Sequence, residues 1–171
     1  TQDMRISKEI MKQLSQAYLK IRNTARYMLG NLNGFDPDNA VPVKDMLDLD
    51  QWAVAAFNDL AKAVRAGYES YEFHTVYRAI YNFCVVEMSN FYLDIIKDRL
   101  YCGDSAGRAS AQSALFLILD GMTRTLAPIL AFTSEEIWAA MPHRSTDDDV
   151  SVLFNDIPDY DPALALNEKE S

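Results

Sequence analysis

The chain has 171 residues, enough for one domain whose core closes without metals or disulfides. Its 49% apolar and 24% charged residues are those of an ordinary globular protein, and no apolar run is long enough to span a bilayer. A net charge of −9 argues against indiscriminate polyanion binding, but residues 1–30 hold six cations against Asp3 and Glu9, a local +4, while the segment from Ser145 onward holds eight acids and one lysine. Six glycines, six prolines and long stretches of helical period predict an all-α protein, a bundle of about four to five helices over a single domain, 1–171, with an acidic extended tail over 145–171. The absence of a signal-peptide pattern, together with two cysteines read as buried thiols, fits a reducing, cytoplasmic setting. The start without an initiator methionine suggests a piece of a longer protein.

Ser7 fits the N-cap of a first helix whose amphipathic body is Lys12 to Leu32. On a wheel of about 100° per residue, Ile10, Leu14, Tyr18, Ala25, Met28 and Leu32 cluster around Ile21 as a core stripe. Asn33-Gly34 supplies the stop, and Phe35 to Asp45, with two prolines, crosses the bundle as a loop. A second helix is predicted from Leu49 to Tyr68, with Trp52, Ala56, Leu60, Ala63 and Val64 facing inward. The longest helix is expected over Glu72 to Tyr101, burying Phe73, Tyr77, Ile80, Cys84, Phe91 and Ile95, with a bend at Ser89-Asn90. A fourth runs from Gly107 towards Leu130, kinked or ended near Ala127 because Pro128 lacks a helical donor. Thr133 and Glu136 have capping-box spacing, and Phe132 and Ile137 form the matching hydrophobic staple of a short fifth helix ending near Met141. Asp147-Asp148-Asp149 reads as a solvated turn, and Val150 to Phe154 as a short strand or extended arm.

No catalytic residue and no metal site are assigned. His74 and His143 lie in different elements without a nucleophile at motif spacing, and His74 reads as a hydrogen-bonded packing residue on the third helix. Cys84 and Cys102 lack a histidine pair and make no zinc motif; Glu-x-x-His pairs of the di-iron kind and phosphate-cradling glycine loops are missing too. What remains is a binding face. Opposite the core stripe, the first helix carries Lys12, Gln16, Lys20, Asn23, Arg26 and Tyr27. Cations track phosphates, an amide bonds a base edge, and an aromatic ring among polar groups can stack on a base. The same face also suits a plain solvated helix surface, with the tyrosine leaning into a neighbouring loop.

The stretches YLKIRNTARYMLGNL (18–32), YEFHTVYRAIYNFC (71–84), MSNFYLDIIKDRLYC (88–102), RASAQSAL (108–115) and LAPILAFTSEEIW (126–138) together resemble the anticodon-binding helical domain of class I aminoacyl-tRNA synthetases. They stand in that family's order from Asp3 to Asp156. The tryptophan-ending motif is shared by isoleucyl, valyl and leucyl branches, whereas NFYLDIIKDRLY followed by RASAQ is characteristic of the isoleucyl one. Leu19 departs from the pattern, standing where the family usually has an arginine. The resemblance implies a parent enzyme that uses ATP to esterify isoleucine to its tRNA and in many members carries a C-terminal zinc-binding region, with no cofactor held by this stretch. Its expected partners are the anticodon loop of isoleucine tRNA and the catalytic domain of the same chain, in a monomer without membrane contact. It also implies that Lys20 and Tyr27, seven positions apart, touch the anticodon loop, with Asn23 bonding a base. Arg22, Arg26 and Lys12 are supporting candidates, Arg22 lying nearer the core boundary. Lys97 and Arg99 rank lower because Asp94 and Asp98 can neutralise them within one helix. A valyl or leucyl counterpart, or a helical protein–protein module without RNA affinity, are the alternatives.

Overall fold

The computed structural model describes residues 2–102, 104–127 and 137–148. Helix α1 spans Gln2–Gly30, α2 Asp48–Glu69, α3 Phe73–Asn82, α4 Leu93–Cys102 and α5 Ser105–Leu126. A π-helical segment, Phe83–Tyr92, joins α3 to α4 without a break, so the three form one rod. A further helical turn covers 137–140. The described chain is thus an all-α bundle, as its composition predicts.

Helix α1 begins earlier than expected. Ser7 lies inside it and is not the residue at which it starts. The stripe around Ile21 is otherwise as read: Ile21, Ala25, Met28 and Leu32 are buried and Tyr18 half-buried. Ile10 and Leu14 are helical, but their side chains lie outside the described residues. Gly34 takes φ +75°, the left-handed conformation that ends the turn after α1 at no steric cost to glycine. Two short 3₁₀ turns, Pro37–Asn39 and Val43–Asp45, carry the chain across the bundle; Asp36 caps the first by accepting from the Asp38 amide at 3.0 Å.

The crossing is stitched to α5 by the polar residues of RASAQSAL. Ser113 Oγ accepts from the Val41 amide at 2.9 Å, Ser110 Oγ from the Leu47 amide at 2.9 Å, and Gln112 Nε2 donates to the Asn31 carbonyl at 2.9 Å. A loop cannot be buried unless its backbone groups find such partners. That requirement explains three of the polar side chains on α5.

Helix α2 buries Ala53, Val54, Phe57, Leu60, Ala61 and Val64. Trp52 and Ala56 are only partly covered, and Ala63 is exposed, so the inward face is turned from the one predicted. Gly121 of α5 leaves room for a ring of α2: a Cβ there would sit 2.4 Å from two ring carbons of Phe57. Helix α5 ends at Leu126, with Ala127 beyond it, near the stop inferred from Pro128. Pro128, the capping box at Thr133 and Glu136, Phe132 and the extended arm at 150–154 lie outside the described residues.

The rod departs most from the sequence reading. Ile80 and Cys84 are buried, and Tyr77 half-buried, but Phe91 and Ile95 are 42% and 48% exposed; the Phe73 side chain lies outside the described residues. Met88, Tyr92, Leu93, Ile96 and Leu100 take the inward places instead. The cause is the π segment, which contains Ser89 and Asn90. Its i→i+5 bonding widens each turn, so the α-helical phase set by Ile80 and Cys84 slips before α4. His74 is exposed at the start of α3 rather than packed.

The slip brings a polar hub into the core. Asp50 of α2, fully buried, accepts from Tyr92 Oη at 2.6 Å, Arg99 Nη1 at 2.6 Å and Ser110 Oγ at 2.5 Å. Arg99 therefore pairs across the bundle with Asp50 and not with the acids of its own helix. Burial, then the Asp50 charge, raises the Tyr92 phenol well above its ordinary range. A second cluster holds residues 137–148 against α5. Arg124 and Arg144 both engage Asp120 at 3.2 Å and also Asp147, at 2.8 and 3.5 Å. Asp147, expected in a solvated turn, is thus enclosed, its side chain 7% exposed. Burial raises the Asp120 carboxyl, with the two arginines opposing the shift. Arg124 also lies over the buried Trp138 ring at 5.3 Å.

Candidate nucleic-acid interface

Helix α1 packs chiefly against α3, the π segment and α5. Alongside the start of α4 it leaves an open groove of about 370 Å³. The α1 wall carries Lys20, Asn23, Thr24 and Tyr27, spaced so that all four fall on one helical face. Ser89, Leu93, Asp94 and Lys97 form the other wall. Thr24 closes the floor: buried, it donates to the Lys20 carbonyl at 2.8 Å and lies 3.4 Å from Ser89 Oγ. Leu93 is 5% exposed and gives the floor its apolar patch.

Three of the residues read from the sequence meet here. Asn23 is exposed, Lys20 half-exposed, and the Tyr27 ring is 40% exposed on the rim. Lys20 and Tyr27 are separated by about 10 Å along the helix axis, a span that reaches neighbouring nucleotides. Arg26 is exposed and Arg22 half-buried, as its place near the core boundary implies; neither lines the groove. Lys12 is exposed about 12 Å further along α1 towards its start. Leu19 presents an apolar side chain, 53% exposed, where the family pattern has a cation.

The α4 wall was the part the sequence hid. Lys97 ranked low beside Asp94, and the two do pair, Nζ to Oδ1 at 3.0 Å. Yet both stay more than half exposed and face the groove. Asp94, Asp98 and Tyr27 all hold the Lys97 ammonium above its usual range, Asp94 most strongly. Ser89, Leu93 and Lys97 are spaced by four, which would have grouped them had the rod's phase been known. The Cys84 thiol beneath is buried and pushed up to about 12 by burial, which leaves it protonated and unreactive.

Among the described residues, no three His, Cys, Asp or Glu side chains gather where a metal ion could be held, and no helix is long and apolar enough to cross a membrane. The chemistry on offer is recognition: an aromatic face, an amide and two ammonium groups around a shallow groove, on a rigid helical scaffold. Those groups are of the kinds that single-stranded nucleic-acid surfaces use.

The particular family follows from comparison. The model of the anticodon-binding domain of tRNA ligase matches residues 50–171, and the chain belongs to that family. It is 59% identical over 143 residues to the isoleucine–tRNA ligase of Syntrophotalea carbinolica, covering 82% of this chain and 15% of that protein. The isoleucine–tRNA ligases of Caldanaerobacter subterraneus subsp. tengcongensis and Geobacter sulfurreducens are each 48% identical, over 92% and 94% of this chain and 17% of their own lengths. The chain thus spans about one sixth of the length of these relatives.

Proposed function

We propose that this chain is the anticodon-reading domain of an isoleucine–tRNA ligase, and that it reads the loop of isoleucine tRNA in the groove between α1 and α4. Tyr27 stacks on a loop base, Lys20 contacts a phosphate or base edge, and Asn23 bonds a base. Arg26, Arg22 and Lys12 lead the backbone along α1 outside the groove. The domain takes up the whole chain, with the acidic 145–171 segment repelling polyanions that do not fit. Its partners are the tRNA and a catalytic domain of the same polypeptide; that domain, with its ATP, supplies the chemistry in the cytoplasm, and any zinc belongs to another region of the parent enzyme. The observation that carries the reading is the part-exposed Tyr27 ring on a polar helix face, flanked by Lys20 and Asn23 over one groove.

Titration with anticodon stem-loops of isoleucine and valine tRNA, at low and high salt, tests it. The isoleucine loop should bind more tightly, and Tyr27→Ala should cost about 1–3 kcal/mol, the worth of one stacked base. Lys20→Ala should lower the salt slope by roughly 0.7, one phosphate contact on a single strand. In a full-length ligase the same substitutions should raise the KM for tRNA and leave ATP-dependent activation of isoleucine unchanged. Equal binding of both loops, indifferent to both substitutions, would sink the assignment.

A further inference from the structure

A trough built only to hold a phosphate backbone would have no acid in it, because a carboxylate repels what the trough must bind. Asp94 stands in this one, on the wall opposite Lys20, Asn23 and Tyr27, with its side chain 65% exposed. Lys97 binds only its Oδ1; among the described residues no other donor engages the carboxylate. The pair is solvent-exposed, so it adds little to stability and calls for another reason to be there. Pairing does solve one problem: Lys97 offsets the charge that would otherwise push RNA away.

An ionised carboxylate can only accept hydrogen bonds. Of the four RNA bases, uracil offers one N–H flanked by carbonyls, and adenine and cytosine each offer an amine beside an acceptor nitrogen. Guanine alone presents two adjacent donors, N1–H and the N2 amine, spaced to meet both oxygens of one carboxylate. A base stacked on Tyr27 would turn its edge towards the α4 wall, where Asp94 stands.

We propose that Asp94, braced by Lys97 across the groove from Tyr27, is a specificity-determining residue that selects guanine by accepting its two Watson–Crick N–H donors. The proposal rests on the groove being the anticodon site. It adds to that reading which base the α4 wall admits, and it makes the acid a reader of bases in a site otherwise cationic.

The test compares stem-loops that carry guanine, inosine or adenine in turn at each loop position; inosine lacks only the N2 amine. At one position the chain should rank guanine above inosine and inosine above adenine, with guanine ahead of adenine by at least about tenfold. Asp94→Asn removes a charge and one acceptor. It should collapse that ranking by about tenfold while leaving the adenine loop bound as well as before or better. A merely structural role moves all loops in one direction by one factor, and that result overturns the proposal. So does a wild-type chain that prefers guanine nowhere in the loop. If Tyr27→Ala and Lys20→Ala still weaken binding, only the role of Asp94 has failed; if they do not, the groove has failed with it.

Discussion

The two walls of the groove are built on opposite principles. The α1 wall is a regular helix whose core stripe and polar face follow from one wheel, and Ile21, Ala25 and Met28 bury as the periodicity requires. The α4 wall reaches the same groove through ten residues of π-helix, which turn Tyr92 and Ile96 inward and leave Phe91 and Ile95 outside. Apolar side chains and floor contacts hold α1. On α4, a buried ion pair and a phenol, both converging on Asp50, are added to the packing. A recognition surface can therefore take one face from secondary-structure propensity and the other from tertiary bonds that override the period.

Breaking the hub should expose that difference most. Asp50→Ala leaves Arg99, Tyr92 and Ser110 without their acceptor in the core, and should lower stability by about 3–5 kcal/mol in urea unfolding. A loss below about 1 kcal/mol would show that packing alone sets α4. The phase slip has its own test. Ile96→Ala should cost about 2–5 kcal/mol, because Ile96 is fully buried. Its neighbour Ile95, on the exposed side, should tolerate Ala to within about 0.5 kcal/mol. Equal costs would mean that no slip occurs.

A smaller effect should appear on the alkaline side, drawn from Cys84 and Tyr92 of the rod together with Tyr68 of α2, which burial also raises. Burial raises Cys84 from 9.0 to about 12, and Tyr92 is raised as well. The unfolded chain then releases these protons at lower pH than the folded one, so stability holds below pH about 9 and falls as pH rises towards 12. Urea midpoints taken across that window should decline, and Cys84→Ala should flatten the first part of the fall. A midpoint independent of pH there would contradict the burial of these groups.

Much of this was legible beforehand because α1 obeys a single period. The polar face that places Lys20, Asn23 and Tyr27 together needs only the helix repeat. The other wall was not legible, since the choice between Ile95 and Ile96 turns on hydrogen bonding within 83–92, which no propensity encodes. Arg99 was misassigned for a related reason: its sequence neighbours are acids, but its true partner lies 49 residues away. Asp147 looked solvated in a run of three aspartates and proved to be held by two arginines. Local charge patterns predict local pairs, and these pairs are not local. The serines and glutamine of RASAQSAL, by contrast, did mark a structural task, although their stitching role shows only once the loop is in place.

The hub on Asp50 also bears on the order in which the molecule forms. Its three bonds join residues 42, 49 and 60 positions apart, so each must wait for long loops to close. Helices α1, α2 and α5 can take shape from local signals, but the hub completes only when α2, the rod and α5 have docked together. Interactions made that late act on the exit rate from the native state and hardly on the entry rate. The bonds that seat the α4 wall are thus long-range ones, and their loss should speed unfolding more than it slows folding.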